Sequence, residues 1–192
     1  MANLSTLQTL MDLYARTNAP DYLNNRTRWL NLGIRNICLE EPWWFTRTDE
    51  VKATVANQPY IILDADIVKI TGVWIGADEL REFDMGSLPL LGTAPAKPTH
   101  YRKGDATRRV DLAPTPDGVY NVRVFYHRVL EDLVNPTDSN GLTDINPYAC
   151  VFAAMIEAAL HLGRDPGIWK ARLDDELNKL RAHNARIERS AG

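Results

Sequence analysis

Cysteine is scarce in this chain. Only Cys38 and Cys150 occur, each among apolar residues on a helical pattern. They read as small buried hydrophobes of a reducing compartment, and a disulfide between them would need spatial proximity. Histidine is scarce too. His100, His127, His161 and His183 are scattered, and none has a second His or Cys at metal-ligand spacing. The chain has no Walker pattern, no G-x-G-x-x-G, no H-E-x-x-H and no G-x-S-x-G. Ser87, Ser139 and Ser190 have no neighbouring base. Long apolar runs are missing, since no segment approaches the about 18 residues needed to span a bilayer. The opening MANLSTLQTL lacks the basic and apolar regions of a signal peptide. An excess of positive charge is also absent: 22 Lys and Arg against 25 Asp and Glu give a net charge of -3. That balance gives no electrostatic case for general nucleic-acid or membrane binding. These absences predict a soluble protein made in the cytoplasm, with no enzyme site, no cofactor and no metal.

What is present is ordinary globular material, 45% hydrophobic and 24% charged, enough to bury a sizeable core. Residues 4–17 place Leu4, Leu7, Leu10, Met11 and Tyr14 on one helical face. Ser5 with Gln8 resembles a capping box, with Asn3 as the other candidate start. Pro20 suits the first turn of a second helix that runs to about Glu40. Its stripe is Leu23, Arg26, Trp29, Leu30, Gly33, Ile34, Ile37 and Cys38, and Pro42 ends it. The period then changes. VKATVA (51–56) alternates, and YIILDADIVKITGVWI (60–75) is rich in β-branched residues. LREFDM follows a Gly76 turn. Residues 85–98, with three prolines and two glycines, read as a loop or arm that carries Leu90 and Leu91. THYRKG, ATRRVDL and VYNVRVFYHR form a meander separated by turn residues. In the last of these Val122, Val124 and Tyr126 share one face, with Asn121, Arg123 and His127 on the other.

Residues 131–144 read as a connecting loop. Asn146-Pro147 caps a helix with Val151, Phe152, Met155, Ile156, Ala159 and Leu160 on its apolar face, and Gly163 ends it. Asp165-Pro166 caps the last helix. There Trp169, Leu173, Glu176 or Leu177, Leu180, His183 or Asn184, and Ile187 recur about every 3.5 residues. Its polar end, RAHNARIERS, is expected to fray. The predicted fold is α+β: a four-helix bundle from 1–45 and 145–192, with an antiparallel β-sheet or small sandwich inserted at 46–130.

Three clusters invite a functional reading. Asp64-Ala65-Asp66 matches a divalent-metal DxD pair, against which stands a polar bend at a strand break. Arg102, Lys103, Arg108 and Arg109 flank a hairpin tip, where they can meet phosphates, acidic protein groups or water. EPWWFTR (41–47) places Trp43, Trp44 and Phe45 where helix gives way to strand. There one indole is expected to plug a core while the other faces a subunit contact. A β-sandwich recognising a ligand or peptide through Trp43 and Trp44 is the alternative.

The order of these pieces resembles the head-to-tail adaptor (connector) proteins of tailed bacteriophages. It is carried by LSTLQTLMDLYAR, RNICLEEPWWFTRTDEV, PYIILDADIVKITGVW, KPTHYRKGDATRRVDLAPTPDGVYNVRVFYHRVLEDL and PYACVFAAMIEAALHLGRDPGIWKARLDDELNKLRAHNARI. The resemblance implies a structural virion protein without catalysis, assembled as a ring of about twelve copies through heterologous contacts. It implies a portal protein on one side and a tail nozzle or tail-tube protein on the other. Genomic DNA would pass through the lumen without sequence-specific binding. Under this reading the candidate interface residues are Trp43, Trp44, Leu90, Leu91, Arg102, Arg108, Arg109, Trp169, Leu173, Leu180 and Ile187.

Overall fold

The computed structural model describes residues 2–17, 19–84, 86 and 94–190. The chain divides into two compact units, Met1–Thr46 with Leu130–Gly192, and Arg47–Val129. The fold is α+β, with five α-helices and two sheets among the described residues.

The first unit is helical: α1 (Leu4–Ala15), α2 (Pro20–Glu40), α3 (Gly141–Ile145), α4 (Pro147–His161) and α5 (Gly167–Ser190). Asn3 is the N-cap of α1, its side chain accepting from the Thr6 N–H, so the start lies there rather than at Ser5. Leu4, Leu7 and Met11 are buried. Pro20 opens α2, and Glu41 leaves it in extended conformation before Pro42. The buried stripe of α2 begins at Tyr22 rather than Leu23, which is exposed. Tyr22 sits two turns before Trp29, and their rings meet at 5.9 Å, so it holds the inward place. Helix α4 packs against α1, α2 and α5. It is buried nearly all round, through Ala149, Cys150, Val151, Phe152, Ala153, Ala154, Met155, Ala158 and Ala159. Leu160, expected on its apolar face, is instead exposed. Small residues let α2 come close: a Cβ on Gly33 would lie 2.8 Å from Ala153 Cβ. The connection at 131–144 is not wholly irregular. Asn140 and Thr143 form a reciprocal capping box that starts α3. Helix α5 continues through the polar stretch to Ser190.

The second unit holds β1 (Arg47–Ala53), β2 (Tyr60–Ile62), β3 (Ile67–Ile75), β4 (Asp78–Glu79), β5 (Arg81–Glu82), β6 (His100–Lys103), β7 (Arg109–Ala113) and β8 (Asn121–Arg128). One sheet has the order β1-β8-β3-β4 and the other β2-β7-β6-β5. All pairs are antiparallel except β5 with β6, so the second sheet is mixed rather than antiparallel throughout. The segment 60–75 breaks at Asp64–Asp66, where a polar bend is one reading of the DxD pair, and its halves enter different sheets. One core takes Ile61, Leu63, Val110 and Leu112 from one sheet and Val73, Ile75, Val122, Val124 and Tyr126 from the other. His127, on the other side of β8 by alternation, is also shielded.

Candidate interaction surfaces

The two tryptophans of EPWWFTR part ways as the chain leaves α2. Trp43 is fully buried, and its indole N–H donates to the Ile37 carbonyl at 2.7 Å. Its ring stacks with Phe45 at 5.9 Å. Thr46 closes the turn, with both its N–H and its hydroxyl donating to the Trp43 carbonyl. Trp43 is therefore a core plug of the helical unit and offers no surface to a partner. Trp44 is half-buried and turned toward α5. Its backbone N–H donates to Asn184 Oδ1 at 3.1 Å, and its ring lies 4.7 Å from that of His183.

Along α5 the expected interface residues differ in environment. Trp169 is half-buried, 5.7 Å from the Tyr14 ring and 6.2 Å from the Phe152 ring. The Arg172 guanidinium lies over all three rings at 5.5 to 5.6 Å, a cation–π arrangement the 3.5-residue pattern did not reveal. Leu173 and Ile187 are half-buried, whereas Leu180 is inside, 3% exposed. Arg181 forks onto two carboxylates, reaching Glu40 at 2.5 Å and pairing also with Glu41. Lys179 pairs with Glu176 at 2.7 Å, one turn back along the helix. Burial raises the Glu176 carboxyl, and hydrogen bonds from Lys179 and Asn146 outweigh it, leaving the group below its ordinary value. Neither Arg181 nor its pair of glutamates stood out in the sequence. A Glu-Glu pair just ahead of a helix-ending proline was the available signal.

The hairpin cations are engaged within their own unit. Asp111, itself buried, takes Arg102 at 2.7 Å and also Arg109, whose guanidinium lies 4.4 Å from the Tyr60 ring centroid. Lys103 donates to the Ile67 carbonyl at 2.7 Å. Arg108 pairs with Asp66 at 2.9 Å and stays the more open of the arginines, its side chain 54% exposed. Leu90 and Leu91 lie outside the described residues.

The DxD pair serves as a corner clamp. Asp64 binds Lys52 at 2.7 Å, which lowers its carboxyl and raises the Lys52 ammonium. Asp66 takes the Thr107 hydroxyl and Arg108. Glu50 braces the same corner by accepting from the Asp64 N–H and from the Tyr126 hydroxyl at 3.0 Å. Burial first, then that bond, pushes the Tyr126 phenol up to about 12. Among the described residues no three His, Cys, Asp or Glu are grouped to hold a metal ion. Cys38 and Cys150 are free and buried, and burial raises both thiols, so thiolate chemistry is suppressed. No helix among the described residues is long and apolar enough to cross a membrane.

A search of curated proteins found no match. A sequence profile described as SU10 adaptor protein matches residues 3–192, which takes in both units. The chain therefore belongs to the SU10 adaptor protein family, structural proteins that join head to tail in bacteriophages.

Proposed function

We propose that this protein assembles as a ring on the portal, joins it to the tail nozzle or tail tube, and extends the channel for the genome. The observation that carries this reading is the family match over residues 3–192, which spans the helical and the β unit alike. In this reading α1, α2, α4 and α5 act as a four-helix bundle domain, with the β unit as an inserted second domain. The ring is built by self-association, with genomic DNA passing through without sequence-specific contact, and its place is the virion after synthesis in the host cytoplasm. A net charge of -3 supports the DNA part, because a passage that offers many cations to phosphates would retain the duplex. Trp44, Trp169, Leu173, Ile187, Arg102, Arg108 and Arg109 are the described interface candidates that keep accessible surface, Arg108 the most open of the three arginines. The Leu90–Leu91 arm is proposed from sequence alone.

The test is direct. Mixing the purified chain with its portal and imaging the mixture by electron microscopy should give a closed ring seated on the portal. No complex at low, medium and high salt, from a portal that still binds other tail parts, would sink the proposal.

A further inference from the structure

We infer that the last turns of α5, residues 181–190, form a releasable segment held by a polar latch on the end of α2. Helices α4 and α5 differ in what secures them. Nine residues of α4 are buried, whereas α5 is longer and buries only Leu177 and Leu180 among its described side chains. Beyond Leu180 no described side chain of α5 is buried. What the segment does have is a set of directed contacts. Arg181 bridges Glu40 at 2.5 Å and Glu41, and also donates to Asn178 at 3.2 Å. Asn184 accepts from the Trp44 backbone N–H at 3.1 Å, and the His183 ring lies 4.7 Å from the Trp44 indole.

These contacts meet at one place, the turn between α2 and the 3₁₀ turn Trp44–Thr46. Arg181 and its two glutamates are each partly exposed, between 30% and 42%, so mobile ions screen the bridge. A segment fastened by such groups opens locally at far lower cost than a helix fastened by nine buried side chains. Opening has a defined product. It bares one face of the Trp44 indole and leaves Arg181 and the Glu40–Glu41 pair ready for other partners. The latch stands or falls on the isolated chain, so its failure is separable from failure of the ring reading.

Hydrogen exchange read by mass spectrometry tests it on the full-length protein. In the wild type, amides of 182–190 should be protected at about 20 mM salt and lose that protection at about 500 mM. Arg181→Ala should speed their exchange by roughly 3- to 10-fold while α2 and α4 amides stay unchanged. The triple variant Glu40→Arg, Glu41→Arg, Arg181→Glu, which reverses the bridge, should restore protection. Equal acceleration in α4 and α2, no response to either salt or Arg181→Ala, or no protection of 182–190 at low salt would each overturn the latch. If Arg181→Ala fails to fold, the salt series on the wild type still decides.

Discussion

The indole N–H of Trp43 donates to the Ile37 carbonyl in a fully enclosed site, whereas Trp44, one residue on, packs against the half-open end of α5. Adjacent residues leaving a helix point in different directions, so equal chemistry in the sequence becomes unequal burial in the fold. Trp43→Ala is expected to cost about 3–5 kcal/mol, because it removes a large buried ring and orphans a carbonyl. Trp44→Ala should cost well under half of that, and urea denaturation of the two variants measures the difference. Asp138 carries a second residue-level expectation. The N–H groups of Asn135 and Val134 hold its carboxyl below the ordinary value. In the same loop the Pro136 and Asp138 carbonyls accept the first N–H groups of α1. A depressed carboxyl gives stability that is present above its unfolded pKa, about 3.9, and lost as pH falls through the lower folded value. Asp138→Asn should therefore flatten the acid limb of a stability–pH curve below about pH 4 and leave the neutral region less stable than wild type. A wild-type acid limb unchanged by the substitution would count against this.

Helices were more legible than strands, and the reason is contextual. A 3.6-residue stripe is a local property, so α1, α2, α4 and α5 could be read from Leu7 and Met11, Trp29 and Leu30, Met155, and Leu177 and Leu180. Tyr22 was missed because its hydroxyl disguised a core residue, and Leu160 was over-read because it lies on the last turn of α4. The β segment depends on partners far along the chain. In YIILDADIVKITGVWI a polar bend at Asp64–Asp66 could be read locally, but that its two arms enter different sheets, with Asp64 tied to Lys52 and Asp66 to Arg108, could not. Short α3 was invisible, since five residues carry no period and the Asn140–Thr143 capping box is a common pattern. At this scale the α2–α4 contact offers a sharp test. Gly33→Ala should destabilise the protein by about 1–3 kcal/mol, since the added methyl meets Ala153 and the Ala154 backbone rather than a movable side chain. A midpoint of urea unfolding equal to wild type would show that the helices can part without loss.

At the level of the whole molecule, family membership was legible from the order of segments, and no single motif carries it. The candidate surfaces were less so. Of the hairpin cations, Arg102 and Arg109 satisfy buried Asp111, which only the pairing of β6 with β7 reveals. Leu180 and Trp43 proved to be interior because an apolar residue reads alike whether its neighbour is its own chain or another. The layout of the units has one more consequence, and it concerns manufacture. The helical unit draws on both the head and the tail of the polypeptide, with the β unit between. On the ribosome, α2 emerges well before α4, its principal cover, and roughly 120 residues separate their C-terminal ends. At about 5–20 residues per second the greasy side of α2 waits roughly 6–24 seconds for its mate. The nascent chain must be shielded over that interval, while the intervening sheets have everything they need to close first.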